Sequence, residues 1–403
     1  MLFMNLVGGT QCFIILAPSV IVGRLLDADH SSALIITGSV LVTLGMFMLS
    51  VSNGGGGYNE GNVGLIWLTQ GFVTALGMAC FFVTSSQVVA TWFKKKKGFA
   101  IGIVASGASI SGLVYPMMIN FIAPKLGFNN AVRCVAGVVG FTALMAIFLA
   151  RPNPTHHFRK PKRWLALREW IDTSAFRNAS YMWFVAAISF LFFGFYPIFF
   201  NLEEWAVTNN IGYRARNLPG PGEPAKIRTT YLLAIMNASS TVGRLSSSYL
   251  CDKFGALNVH AAVTTVCALL TLILWPLTKH LATAIAFVLI FGIFSGSGKL
   301  GQWTGMMYST AACFALTGPV IAGHLVSQYD TYLTVQLWSG VNLLLSASCM
   351  IMAMLYAPQS QKKMQRLREQ KEWLREKVRR FSTTSKLRKT STVTTSASAR
   401  NVF

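Results

Sequence analysis

The chain has 403 residues, of which 53% are hydrophobic and only 12% charged, and its mean hydropathy is +0.49. That balance excludes an ordinary soluble globular protein and defines an integral membrane protein. A net charge of +22 would suit a nucleic-acid partner, but the cations lie in short loops and one tail, so membrane topology accounts for them and no nucleic acid is expected.

Apolar windows fall near 3–22, 33–52, 64–90, 99–123, 132–150, 181–200, 229–249, 257–277, 281–298, 303–326 and 334–356. Most reach the ~20 residues that a helix rising ~1.5 Å per residue needs to cross hydrocarbon. An all-α membrane protein with eleven spans is predicted. The first window closes on Gly23, Arg24 and Asp27. Lys94, Lys95, Lys96 and Lys97 then separate the third and fourth windows; four ammonium groups cannot sit in hydrocarbon, so they mark a cytoplasmic hairpin. With the spans alternating from there, 28 of the 35 Lys and Arg fall inside, which places the amino terminus outside and the carboxyl terminus in the cytoplasm.

After the Lys block, Gly98, Gly102, Ala105, Ser109 and Gly112 recur at steps of four, three, four and three, giving that helix one nearly flat face. Close helix packing is the favoured use of such a face. The polar, Pro-containing segment from Arg151 to Ser180 divides five spans from six. The expected organisation is a bundle over 1–150, a cytoplasmic loop over 151–180, a second bundle over 181–357 and a basic cytoplasmic tail over 358–403.

The seventh window carries Asn237, Ser239, Ser240, Gly243 and Arg244, and closes on Asp252 and Lys253. It thus repeats the Gly-Arg and Asp pattern at the end of the first window, where cations and carboxylates of neighbouring helices can pair. The ninth window, at about 18 residues, barely spans a bilayer. In the tail, Met364, Leu367, Leu374, Val378 and Phe381 lie amid many cations, as in a basic amphipathic helix on anionic inner-leaflet lipids. The seven cysteines lack paired spacing and read as packing residues. No phosphate loop, zinc spacing or nucleophile with a positioned base is present, so neither an enzyme nor an ATP-driven pump is expected, and neither a metal nor a cofactor.

Trp92, Phe93, the four lysines, Gly98, Ala100, Gly102, Ala105, Gly107 and Gly112 resemble the signature of the monocarboxylate porter family within the major facilitator superfamily, in its fungal members. Asn237 to Arg244, Phe291 to Gly296 and Thr317 to Gly323 extend the resemblance into the second half. It implies two bundles rocking about a central site, with a small organic anion as cargo and a proton as coupling ion. It also implies a plasma-membrane address and twelve helices, the first of which is expected to be missing here.

By the same resemblance Arg244 holds the substrate carboxylate, with Asn237 and Ser240 deeper on the same helix. Read from the residues alone, Arg244 equally fits a surface pair with Asp252, and Asn237 and Ser240 fit bonds between helices. Tyr196, Tyr231 and Tyr308 are amphipathic residues suited to lining a cavity. Gly23, Arg24, Asp27, Gly243, Asp252 and Lys253 form the expected inner-loop gating motif. A carrier of another small solute, and a truncated membrane protein that transports nothing, are the alternative functions.

Overall fold

The computed structural model describes residues 2–52, 61–93, 96–154, 175–213, 227–296 and 304–357. Among these, eleven long helices follow one another. Helix α1 has two segments, Leu2–Leu16 and Ser19–Asp27, divided at Pro18, whose ring cannot continue the helical ladder. Then come α2 (Ser31–Leu49), α3 (Val63–Trp92), α4 (Lys97–Leu126), α5 (Phe128–Leu149) and α6 (Ala179–Thr208). The rest are α7 (Thr229–Phe254), α8 (Ala256–Leu277), α9 (Leu281–Ser295), α10 (Thr304–Tyr329) and α11 (Leu333–Ala357). Gly255, at φ +88°, lets α7 stop and α8 begin one residue later.

Nine of these helices among the described residues are both long and apolar enough to cross a membrane. The other two differ for separate reasons. Helix α7 has 26 residues but a polar stripe of Asn, Ser, Thr and Arg. Helix α9 is apolar but only 15 residues long, shorter than its sequence window, and spans about 22 Å at ~1.5 Å per residue. Outward faces are greasy: Ile36, Val40, Leu44 and Phe47 form one exposed stripe on α2. Lipid has no water to offer backbone amides, so helices carrying such stripes satisfy their own.

The helices pack as two bundles. In the first, α2 lies against α3 and α5, α4 against α5, and α1 against α3. Val42, Val135 and Val139 form its buried centre. In the second, α6 packs on α10, and α7 on α9; Ser346 of α11 donates to the Ala187 carbonyl of α6 at 2.6 Å. Its core is aromatic, with Trp275 stacked on Phe287 at 5.4 Å and Trp205 edge-on to Trp275 at 5.8 Å. The bundles meet along two helix pairs, α4 with α7 and α1 with α10.

Two expectations about charges change. Arg24 pairs with Asp27 of its own helix at 3.6 Å rather than with a neighbouring helix, because one turn brings i and i+3 together and both remain partly exposed. Asp252 and Lys253 lie within the last turn of α7, not in a loop. Lys94, Lys95, most of the 151–180 segment and the whole 358–403 tail lie outside the described residues.

Candidate functional site

The flat face of α4 is turned to α7. Antiparallel to each other, the helices pair Gly98 with Asp252, Gly102 with Ser248, Ala105 with Arg244, Ser109 with Ser240 and Gly112 with Asn237. A Cβ at Gly102 would overlap the Ser248 side chain and lie 3.1 Å from the Arg244 carbonyl, so only glycine permits this approach. Polar groups line the seam. Ser109 Oγ donates to Ser240 Oγ at 3.3 Å, and Asn237 Nδ2 reaches the Gly112 carbonyl at 3.4 Å and its own Leu233 carbonyl at 3.0 Å.

At the end carrying Lys96 and Lys97, the Asp252 carboxylate accepts the Gly98 and Phe99 N–H groups at 3.2 and 2.9 Å. The first turn of any helix leaves amides without intrahelical partners. A carboxylate placed there gains both hydrogen bonds and the favourable end of the helix dipole. Here the capping group comes from the opposite bundle, so the bond exists only while α4 and α7 touch.

Arg244 lies two turns deeper, roughly 12 Å along α7 at ~1.5 Å per residue. Its Nη1 donates to the Ala105 carbonyl at 3.2 Å, while its Nε is buried with no partner. No carboxylate among the described residues pairs with it; the surface pairing with Asp252 that the sequence permitted is not formed, because one continuous helix holds the two residues two turns apart and Asp252 is turned to α4. The helix backbone at Arg244 is clamped from the other side by α9, where a Cβ at Gly296 would come within 2.8 Å of the Arg244 amide nitrogen.

Around this arginine α1, α6 and α10 supply aromatic and sulfur groups. Cys12 of α1, Tyr196 of α6 and Tyr308 of α10 pack together against Leu16, and the Tyr196 hydroxyl lies within electrostatic reach of Arg244. Tyr196 is the middle of a ladder, stacked with Phe192 at 5.4 Å and with Phe200 at 6.1 Å. Beside it α1 and α10 are sewn together: Ser309 Oγ donates to the Ala17 carbonyl at 2.6 Å, and Asn5 Nδ2 to the Pro319 carbonyl at 3.2 Å.

The remaining sequence candidates lie elsewhere. Gly23, Arg24, Asp27 and Lys253 are at the lysine-bearing end, and Trp92 there donates to the Arg151 carbonyl at 2.9 Å. Phe93 is exposed, and a Cβ at Gly107 would meet nothing within 4 Å. Gly243 faces α9, where a Cβ would overlap the Ile293 carbonyl. Tyr231 lies in the first turn of α7, roughly 20 Å from Arg244 along the helix at ~1.5 Å per residue. Cys12, Asn5 and Ser309 are contributors that the sequence did not single out; the Phe192, Tyr196 and Phe200 ladder at one residue per turn was the available signal.

Two membrane-embedded bundles meeting on glycine-lined seams, with a cation and hydroxyls enclosed between them, define a multi-pass membrane protein built to move a solute. The chain belongs to the Major Facilitator Superfamily, whose family pattern matches residues 2–299. It is a transporter rather than an enzyme. It is similar to MFS-type transporter 1 of Ophiocordyceps sp. (strain BCC 1869), 27% identical over 366 residues that cover 86% of this chain and 75% of that one. The fujikurins efflux protein of Gibberella fujikuroi is 27% identical over 363 residues, covering 85% and 71%. The aspyridones efflux protein of Emericella nidulans is 26% identical over 354 residues, covering 83% and 65%. In fold it resembles the E. coli fucose:proton symporter, with a TM-score of 0.60 at 17% identity, covering 88% of this chain and 90% of that one.

Proposed function

We propose that this transporter carries a small organic anion by alternating access, with Arg244 as the anion's anchor and Asn237, Ser240 and Tyr196 as its polar neighbours. The observation that supports this most is the half-buried Arg244 side chain, whose Nε is enclosed with no partner and which faces no carboxylate among the described residues. A partly desolvated cation without a counter-ion is costly, and an incoming carboxylate reduces that cost through parallel hydrogen bonds. Proton-coupled symport of a monocarboxylate is the specific form, as the family signature implies. A proton travelling with the anion neutralises charge that low-dielectric surroundings penalise.

The lysine-bearing end is assigned to the cytoplasm, the membrane is assigned to the cell surface, and the basic tail to anionic lipid of the inner leaflet. Gly23, Arg24 and Asp27 with Gly243, Asp252 and Lys253 act as the gating motif at that end, and the bundles over 1–150 and 181–357 are the rocking bodies.

Export of a larger organic compound is the second reading, favoured by the two relatives named as efflux proteins. Purified protein in liposomes, given labelled monocarboxylates with and without an inward proton gradient, tests the first reading. Gradient-stimulated uptake that disappears in Arg244→Ala supports it. Uptake indifferent to both the gradient and Arg244 overturns it, and pumping only in the opposite sense favours export.

A further inference from the structure

We propose that Pro18 is a hinge dividing α1 into two arms that leave α10 separately, and that Ser309 of α10 is the clasp on that hinge, a positioning residue for opening at the lysine-bearing end. This rests on the alternating-access reading above and not on the identity of the cargo. Proline has no N–H to offer the Ile14 carbonyl, and its ring disturbs the turn around it. Backbone groups beside it therefore need partners from elsewhere, and lipid has none to give. The single hydroxyl of Ser309 serves two of them. It donates to the Ala17 carbonyl at 2.6 Å and accepts the Val20 N–H at 3.3 Å, which splices the end of one segment to the start of the next. The second segment begins without a side-chain cap of its own.

On both sides of the break α1 lies backbone to backbone against α10. The long arm, Leu2–Leu16, is held by Asn5, whose Nδ2 donates to the Pro319 carbonyl at 3.2 Å, and at Gly9, where a Cβ would stand 2.9 Å from the Leu316 carbonyl. The short arm, Ser19–Asp27, is held at Gly305, where a Cβ would stand 2.9 Å from the Ser19 carbonyl. Ser19 is 1% exposed, and its hydroxyl is enclosed without a partner. Burying an unpartnered hydroxyl opposes docking, so the short arm is biased toward release, and the Ser309 clasp offsets that bias. The clasp exists only while α1 and α10 touch, just as the Asp252 cap exists only while α4 and α7 touch. In both seams a side chain of the second bundle completes the backbone of a first-bundle helix where its own ladder is interrupted.

The test is hydrogen–deuterium exchange of the full chain in lipid nanodiscs, read by mass spectrometry in peptides from each arm. Ser309→Ala should speed exchange of the short arm about tenfold, the worth of a hydrogen bond whose loss leaves backbone groups unpaired, and leave the long arm unchanged. Ser309→Thr keeps the hydroxyl and should keep the protection. Ser19→Ala should act in the opposite sense and slow the short arm, since it removes the orphaned hydroxyl. Pro18→Ala restores the missing N–H, so in Pro18→Ala/Ser309→Ala the short arm should be as protected as in the unaltered chain. Short-arm exchange unmoved by Ser309→Ala, or speeded as much by Ser309→Thr, overturns the clasp. Both arms speeded alike by Ser309→Ala, no rescue by Pro18→Ala, or a short arm speeded by Ser19→Ala overturns the hinge. Exchange needs no cargo, so it judges the hinge whether or not the anion reading holds.

Discussion

Asp252 makes the sharpest mechanical prediction, because its carboxylate caps a helix of the other bundle. Two N–H groups of α4, from Gly98 and Phe99, donate to it. Losing a side-chain cap costs about 0.5–2 kcal/mol, and losing the charge at a helix N-terminus about 0.3–1 kcal/mol. These overlap, so Asp252→Ala should remove about 1–2 kcal/mol from the arrangement in which α4 and α7 are closed at the lysine-bearing end. That shifts the balance toward opening there by about 5–30-fold. Asp252→Asn keeps an acceptor and should show a smaller shift.

Ser109 provides the probe, since it is 1% exposed against Ser240 and α4 contains no native cysteine. In a Ser109→Cys background, a membrane-impermeant maleimide added from the lysine-bearing side should label α4 faster by that factor in Asp252→Ala. Peptide mass spectrometry separates this site from the native thiols. An unchanged rate, or one raised as much by Asp252→Asn as by Asp252→Ala, would refute a charge-assisted latch.

Three further expectations are simpler. Gly243→Leu pushes a side chain into the Ile293 backbone of α9 and should destabilise the folded protein by about 1–3 kcal/mol, read as a lowered melting temperature in detergent. Arg244→Lys keeps a charge but loses the planar fork, so it should retain a fraction of transport where Arg244→Ala retains none; equal rates in both variants and the parent would reassign the residue to packing. Ser109→Ala and Ser240→Ala should each cost about 0.6 kcal/mol, and the double variant scarcely more than either, since removing both partners leaves no orphaned hydroxyl; additive losses would show that the two do not act as a pair.

Much of the fold was legible because hydrocarbon imposes length. Ten of the apolar windows match helices closely, and even α7, whose polar stripe sets it apart from the nine apolar spans, was visible as the window 229–249. Helix α9 was overestimated because its window ran on through small residues where the helix itself stops at Ser295. The steps of four and three between Gly98 and Gly112 announced a packing face, yet nothing local could say that α7 would fill it. Local sequence also favoured pairing Arg244 with Asp252 as strongly as any other use, since both charges stand near the end of one apolar window. Which way Asp252 turns is decided by the free amides of α4, more than 150 positions away. The meeting of Cys12, Tyr196, Arg244 and Tyr308 comes from four helices and two bundles, and no periodicity within one helix encodes it.

Solute counterflow reports most directly on whether this chain is an Arg244-dependent anion carrier. Liposomes containing the protein are preloaded with an unlabelled monocarboxylate and diluted into trace labelled acid. A carrier that alternates between two faces must accumulate label transiently above equilibrium, and Arg244→Ala must not. Equilibration without overshoot in the unaltered protein, or an overshoot undiminished in Arg244→Ala, would contradict the account.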